Sequence, residues 1–180
     1  VNGMGEFFYR RSQPIPTYHL DHPLAHKHID YFKYLEREEV LKFNSYRNNE
    51  PFFLDPKIKI TPVELNHGFP CSGFVIEVLN KKIGIVSDTN FSISEKTKEL
   101  LMNCDYLFTD AFSEDMDQVK NVYEDCGIET PDLNTEWFHM TIPEARQLQE
   151  LTKSKKLYTV HMSRHMSPHQ QLVEKYQTED

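Results

Sequence analysis

Residues 60–90, ITPVELNHGFPCSGFVIEVLNKKIGIVSDTN, carry the pattern from which the fold can be read. Apolar and polar residues alternate from Ile58, and GFVIEV and IGIV are two further β-rich runs around an NKK turn signal. Alternation of period two belongs to strands, so residues 57–87 are predicted to form three consecutive strands. His67 follows the first of them and Asp88 the third.

Downstream, SEKTKELLMN reads as a helix with Ser94 as its N-cap, and DYLFTD as a short buried strand. Residues 113–138 read as a long, irregular acidic stretch, the kind of connection that often serves as a lid or insertion. TIPEARQLQELTK is the clearest helix, with Thr141 and Glu144 spaced as a capping box. Strand KLYTV follows, closed by His161, and HMSRHMSPHQQLVEKY is a turn and a last helix. Upstream, PIPTYHL suggests an edge strand because it tolerates two prolines. From Pro23, the spacing of Leu24, His28, Tyr31, Phe32 and Leu35 predicts one amphipathic helix. Strands alternating with helices indicate an α/β layered fold, one domain over 1–180.

Composition sets the limits. A chain of 180 residues with 38% hydrophobic content suits one core. With 28 acidic and 20 basic residues the net charge is −8, and no lysine- or arginine-rich run interrupts it. Nucleic acid is therefore a poor partner, since phosphate neutralisation needs clustered cations. Cys71, Cys104 and Cys126 show no C-x-x-C spacing, which argues against a disulfide framework and for a reducing, cytoplasmic setting. No apolar run reaches the roughly 18 residues that span a bilayer, so no membrane partner is expected.

Two sets of residues offer metal chemistry. TYHLDHPLAHKH, residues 17–28, holds four of the nine histidines, and His19, Asp21 and His22 have H-x-D-H spacing. The competing explanation is a polar loop and the exposed side of a helix, and it is preferred here. The second set is His67, Asp88 and His161, each at the close of a predicted strand. Strand ends of one sheet lie along a common edge, so residues distant in sequence meet there with fixed geometry. Imidazole and carboxylate suit zinc, and manganese or iron accepts them too. Taken singly, such a histidine is a loop residue and such an aspartate a turn former. Their shared position is what points to a site.

These residues carry a family resemblance. The stretch 60–90 resembles the middle of the metallo-β-lactamase fold, where a metal-binding histidine precedes a strand and a bridging aspartate sits in a G/S-D-T turn about twenty residues on; His67 and Asp88 are 21 apart. LYTVHMSRH resembles the closing T-H-x-S-H segment and puts His161 on the last metal ligand. His139, in WFHMTIPEA, is similar to the histidine before the T-I-x-E-A helix of the cyclic-phosphodiesterase branch, which includes the phosphoribosyl cyclic phosphate phosphodiesterase and relatives of the tRNA 3′-processing ribonuclease.

The resemblance implies an αββα sandwich, two divalent metal ions (zinc first, manganese or iron as alternatives) and hydrolysis of a small cyclic or nucleotide-like phosphodiester. His139 is the implied catalytic residue, binding phosphate or protonating the departing alkoxide; His67, Asp88 and His161 are the implied metal ligands. By the same alignment VNGMGEFF follows a lost H-x-H-x-D-H motif, so a truncated domain without its N-terminal strands is expected. Each metal then keeps two protein ligands, against about three in a catalytic zinc site, and the 180 residues alone are expected to bind metal weakly. Rival expectations are a tRNA 3′-processing nuclease and a degenerate, non-catalytic binding domain. A homodimer is compatible with all three.

Overall fold

The run from Ile58 becomes the backbone of a six-stranded sheet. In the computed structural model, residues 13–133 and 137–176 are described. The sheet comprises β3 (Phe52–Asp55), β4 (Ile58–Glu64), β5 (Ser72–Val78), β6 (Lys81–Val86), β7 (Tyr106–Asp110) and β8 (Lys156–Val160), in that spatial order. β3 to β6 pair antiparallel, and β6, β7 and β8 pair parallel. β1 (Ile15–Leu20) and β2 (Leu41–Tyr46) form a separate parallel pair. Parallel pairing needs crossovers, and between β6, β7 and β8 these are the helices of the second half. They are α3 (Glu95–Leu101), α4 (Met116–Asp125) and α5 (Ile142–Thr152), with α6 (His169–Tyr176) following β8.

Local chemistry accounts for the joints. Leu79 and Asn80 both have positive φ, 49° and 61°, and link β5 to β6 in the two-residue manner that matches sheet twist. Ser94 Oγ accepts the Thr97 N–H at the start of α3. At α5, Thr141 Oγ1 accepts the Glu144 N–H while the Glu144 carboxylate accepts the Thr141 N–H, so two orphan donors are met reciprocally. α3 and α5 pack on each other, α3 against β4 and α5 against β7 and β8. Val63, Val86, Leu101, Leu107, Met140 and Leu148 are fully buried between them. Close approach depends on Gly73 and Gly84: a Cβ at Gly73 would lie 2.5 Å from the Ile85 carbonyl oxygen, and one at Gly84 would lie 2.7 Å from Leu101 Cδ2. Gly68 has no such constraint, its nearest neighbour being Phe138 at 3.5 Å.

Two sequence expectations need correction. Residues 113–138 are not irregular throughout, because Asp115 caps the ten-residue α4 by accepting the Gln118 N–H. Met116, Val119 and Val122 have the three-residue spacing of a helix face, a signal masked by the acidic residues among them. The helix from Pro23 is also not continuous. It divides into α1 (Pro23–Asp30) and α2 (Lys33–Arg37), neither with a buried residue, and Tyr31 and Phe32 are 71% and 49% exposed. The segment VNGMGEFF lies outside the described residues.

Candidate metal centre

Four chain segments end at one rim of the six-stranded sheet, the carboxyl ends of its parallel strands. Asp88 stands two residues beyond β6, Asp110 closes β7, His161 follows β8, and His139 precedes the α5 cap. Their four ligand atoms all lie within 4.8 Å of one another, the one such convergence of three or more histidine, cysteine or acidic side chains among the described residues.

The centre is organised by Asp110, whose side chain is fully buried. Its Oδ2 accepts the Nδ1–H of His139 at 2.9 Å and the Thr89 N–H at 3.2 Å, and its Oδ1 accepts the Phe112 N–H at 3.0 Å. A buried charge must be paired and hydrogen-bonded, and these donors do that. With Nδ1 turned to Asp110, the other ring nitrogen of His139 is left for chemistry. His161 Nδ1 lies 3.1 Å from Asp88 Oδ1 and 3.4 Å from Asp110 Oδ2.

Backbone conformation marks the same place. Asp88 and His161 are both left-handed, at φ 55° and 56°, a state costing a non-glycine residue about 1–2 kcal/mol and typical of positions held for function. Hydrogen bonds between loops hold them there. Thr89 Oγ1 accepts the Asn66 N–H at 3.1 Å, Asn90 N–H donates to Asn66 O at 3.2 Å, and Asn90 Nδ2 donates to Trp137 O at 3.1 Å. The loops carrying His67, Asp88 and His139 are thus tied to one another. Cys71 Sγ sits 3.7 Å from the Asp88 carbonyl oxygen, and burial, then the Asp88 charge, pushes its thiol pKa up.

Of the residues singled out in the sequence, Asp88, His161 and His139 meet in this cluster. His67 reaches the same rim, with its ring edge-on to His139 at 5.4 Å and against Phe138 at 5.7 Å, but it stands outside the group of converging donors. Asp110 was missed, although it closes strand DYLFTD just as the other residues close theirs. Applying the strand-end rule to every strand finds it.

The H-x-D-H segment is arranged differently. Asp21 accepts from His26 Nε2 at 3.1 Å and from Arg47 Nε at 2.9 Å, and the Arg47 contact leads in holding its carboxyl below the usual range. His22 Nδ1 caps α1 by accepting the Leu24 N–H, and His19 Nδ1–H donates to Leu20 O. Asp21 and His22 line an open cleft of about 580 Å³ that His67 also lines.

Two carboxylates and two imidazoles are donors that zinc, manganese and iron accept, and their convergence fits a divalent ion. Comparison with known proteins agrees with the architecture. The metallo-beta-lactamase fold protein YhfI from Bacillus subtilis matches with a TM-score of 0.69 at 18% identity, covering 96% of this chain and 61% of its own. A diphosphatase from the PhnP family matches at 0.61 and 21% identity, covering 91% and 52%. The short form of human tRNase Z matches at 0.62 and 18% identity, covering 87% and 66%. The chain thus spans between about half and two-thirds of the length of these structures. No curated protein matches it. The architecture is the metallo-β-lactamase fold, and the model of the beta-lactamase superfamily domain matches residues 2–162, so the chain belongs to that superfamily, whose members are generally hydrolases.

Proposed function

We propose that this chain is the metal-centre half of a phosphodiesterase that hydrolyses a small cyclic or nucleotide-like phosphodiester. The observation that carries the reading is the buried Asp110 carboxylate bonded to Nδ1 of His139, set within a cluster that includes Asp88 and His161. Asp88 and His161, with His67 beside them, would hold two divalent ions, zinc in the first place. When bound, such ions supply the positive charge that polarises a phosphoryl oxygen and acidifies water.

The chain's own residues supply the proton chemistry. Asp110 accepts from Nδ1 of His139 and turns the outer nitrogen away from itself, where it can hold a proton toward the leaving oxygen. As a water oxygen, its proton released to solvent, bonds to phosphorus and the ester P–O bond breaks, the departing alkoxide takes the proton held by His139. Phe112, stacked on His139 at a centroid distance of 4.5 Å, limits ring rotation and shields the imidazole from solvent. Asp88 and His161 orient through each other and through Asp110.

With Asp110 and His139 bonded to each other, Asp88 and His161 are the converging donors left for metal, so metal affinity of these 180 residues alone is expected to be weak. Cys71, Cys104 and Cys126 are free thiols, which supports a reducing, cytoplasmic location. Among the described residues, no helix is long and apolar enough to cross a membrane. The activity is tested on the full-length protein with Zn²⁺ or Mn²⁺, against bis-p-nitrophenyl phosphate, 2′,3′-cyclic nucleotides and precursor tRNA. Metal-dependent cleavage of the first two supports the reading. Cleavage of precursor tRNA alone favours the nuclease, and no turnover of any substrate points to a non-catalytic domain.

A further inference from the structure

A second acidic side chain is buried after β7. Glu114, four residues beyond Asp110, is 6% exposed, and nothing in the proton chemistry above uses it. Burying a carboxylate is costly unless it is paired and hydrogen-bonded, so its role is sought in the groups it binds.

Those groups belong to the loop between β8 and α6 and to α6 itself. Glu114 Oε1 accepts the Ser167 N–H at 2.8 Å and Gln118 Nε2–H at 3.2 Å, and Oε2 accepts from Lys175 Nζ at 3.3 Å. Gln118 also donates from Nε2 to His165 O at 2.9 Å, while its Oε1 accepts the Glu114 N–H at 2.8 Å. The two side chains form one clamp, which grips the loop at His165 and Ser167.

The gripped loop begins with His161. Apart from the clamp and the His161 ring itself, one hydrogen bond among the described residues ties residues 161–167 to the rest of the molecule, from the Ser163 N–H to Phe112 O at 3.0 Å. The His165 and Met166 N–H groups turn inward to Ser163. His139 is better secured, because the residues after it are bonded through Met140 O to the Phe112 N–H and through the Ile142 N–H to Ser113 O. His161 has a φ of 56°, a left-handed conformation that persists only where the surroundings over-determine it. One neutral hydrogen bond is worth about what that conformation costs, whereas bonds to a charged acceptor are stronger. The clamp supplies the difference.

We propose that Glu114, acting with Gln118, is a positioning residue: from outside the metal centre it fixes the loop that sets the His161 ring against Asp88 and Asp110. If His161 holds metal as proposed above, on which this consequence rests, loosening the clamp weakens metal binding. The carboxylate is specifically required. A glutamine at this position keeps the shape but replaces one acceptor with an NH₂ group, which then meets the Ser167 N–H or Lys175 donor against donor.

The test compares the wild type with Glu114→Gln, Gln118→Ala and Leu172→Ala. Leu172 is a buried side chain that packs α6 on Ala111, Ile142 and Ala145, and its truncation removes no clamp atom, so it controls for lost stability alone. Thermal unfolding measures that stability in each variant. Imidazole ¹⁵N spectra of the chain are recorded in EDTA, and the full-length protein is titrated with Zn²⁺ against a competing chelator. The His161 ring signals should shift or split in Glu114→Gln and Gln118→Ala and match the wild type in Leu172→Ala. Zn²⁺ should bind about 10-fold more weakly in Glu114→Gln, the lower end of the range for groups that orient a metal ligand. Wild-type His161 signals in both clamp variants, or the same change in Leu172→Ala, overturn the proposal, and Gln118→Ala decides alone if Glu114→Gln does not fold. Shifted signals with unchanged Zn²⁺ affinity overturn its consequence for metal. Because the ring signals are read without metal, a wild type that binds no Zn²⁺ removes the metal reading and leaves the positioning role to be decided by the spectra.

Discussion

The rim after β6, β7 and β8 and the segment His19–His28 are built from the same residue types and do different things with them. At the rim, one buried carboxylate gathers two imidazoles and two backbone N–H groups, and a second carboxylate faces the same point. In His19–His28 the polar atoms are spent locally, on a helix cap, a neighbouring carbonyl and an exposed Asp21–Arg47–His26 chain. Residue type and spacing propose a metal site; convergence and burial distinguish one from a surface. A rigid sheet edge supplies both, and a short exposed helix supplies neither.

The largest expected effect that tests this contrast is catalytic. In the full-length protein, His139→Ala should lower kcat by about 10²–10⁴-fold, the range for a lost general acid, while His22→Ala should leave it unchanged; steady-state kinetics on a cyclic phosphodiester reads both. Equal losses would erase the distinction between the regions. Next comes stability. Asp110→Ala leaves the Thr89 and Phe112 N–H groups and His139 without their acceptor in a buried place, and should cost about 3 kcal/mol or more in urea denaturation. Asp21→Ala removes only exposed contacts and should leave the midpoint nearly unmoved.

Packing behind the rim gives a smaller signal. Gly73→Ala forces a Cβ against the Ile85 backbone and should destabilise by about 1–3 kcal/mol, whereas Gly68→Ala meets only ordinary contact and should be close to neutral. Thermal unfolding of the pair separates crowding from loop strain. The smallest effect lies at the other end of β7. Asp105 is held at a pKa of about 2, first by the Lys155 side chain, then by the Lys82 N–H and the charges of Lys155 and Lys81. Its folded value is below the unfolded 3.8, so its contribution is complete above about pH 4 and fades as pH falls toward 2. The difference in Tm between the wild type and Asp105→Asn should therefore shrink over that interval.

Much of this was legible in the residues, for physical reasons that can be named. Strands β4, β5 and β6, and the Ser94 and Thr141 caps, follow from period-two alternation and short-range hydrogen bonding, which are local. That Asp88 and His161 converge was legible because each closely follows a strand of one sheet. Asp110 was passed over although it closes its strand as Asp88 and His161 follow theirs; what no window of sequence shows is that it binds Thr89 and His139, 21 and 29 residues away. α4 was obscured by acidic residues on its exposed side. The division of α1 from α2 was equally hidden, since the three- and four-residue spacing continues across it while nothing buries the face it defines.

The claim that the strand-end rim, and not the histidine-rich segment, holds the metal is tested most directly by calorimetric titration of Zn²⁺ and Mn²⁺ into three chains: the wild type, the Asp88→Ala and His161→Ala double variant, and the Asp21→Ala and His22→Ala double variant. Weak binding heat in the first and third, and none in the second, is the expected pattern. Binding that survives loss of Asp88 and His161 but vanishes with Asp21 and His22 would contradict it.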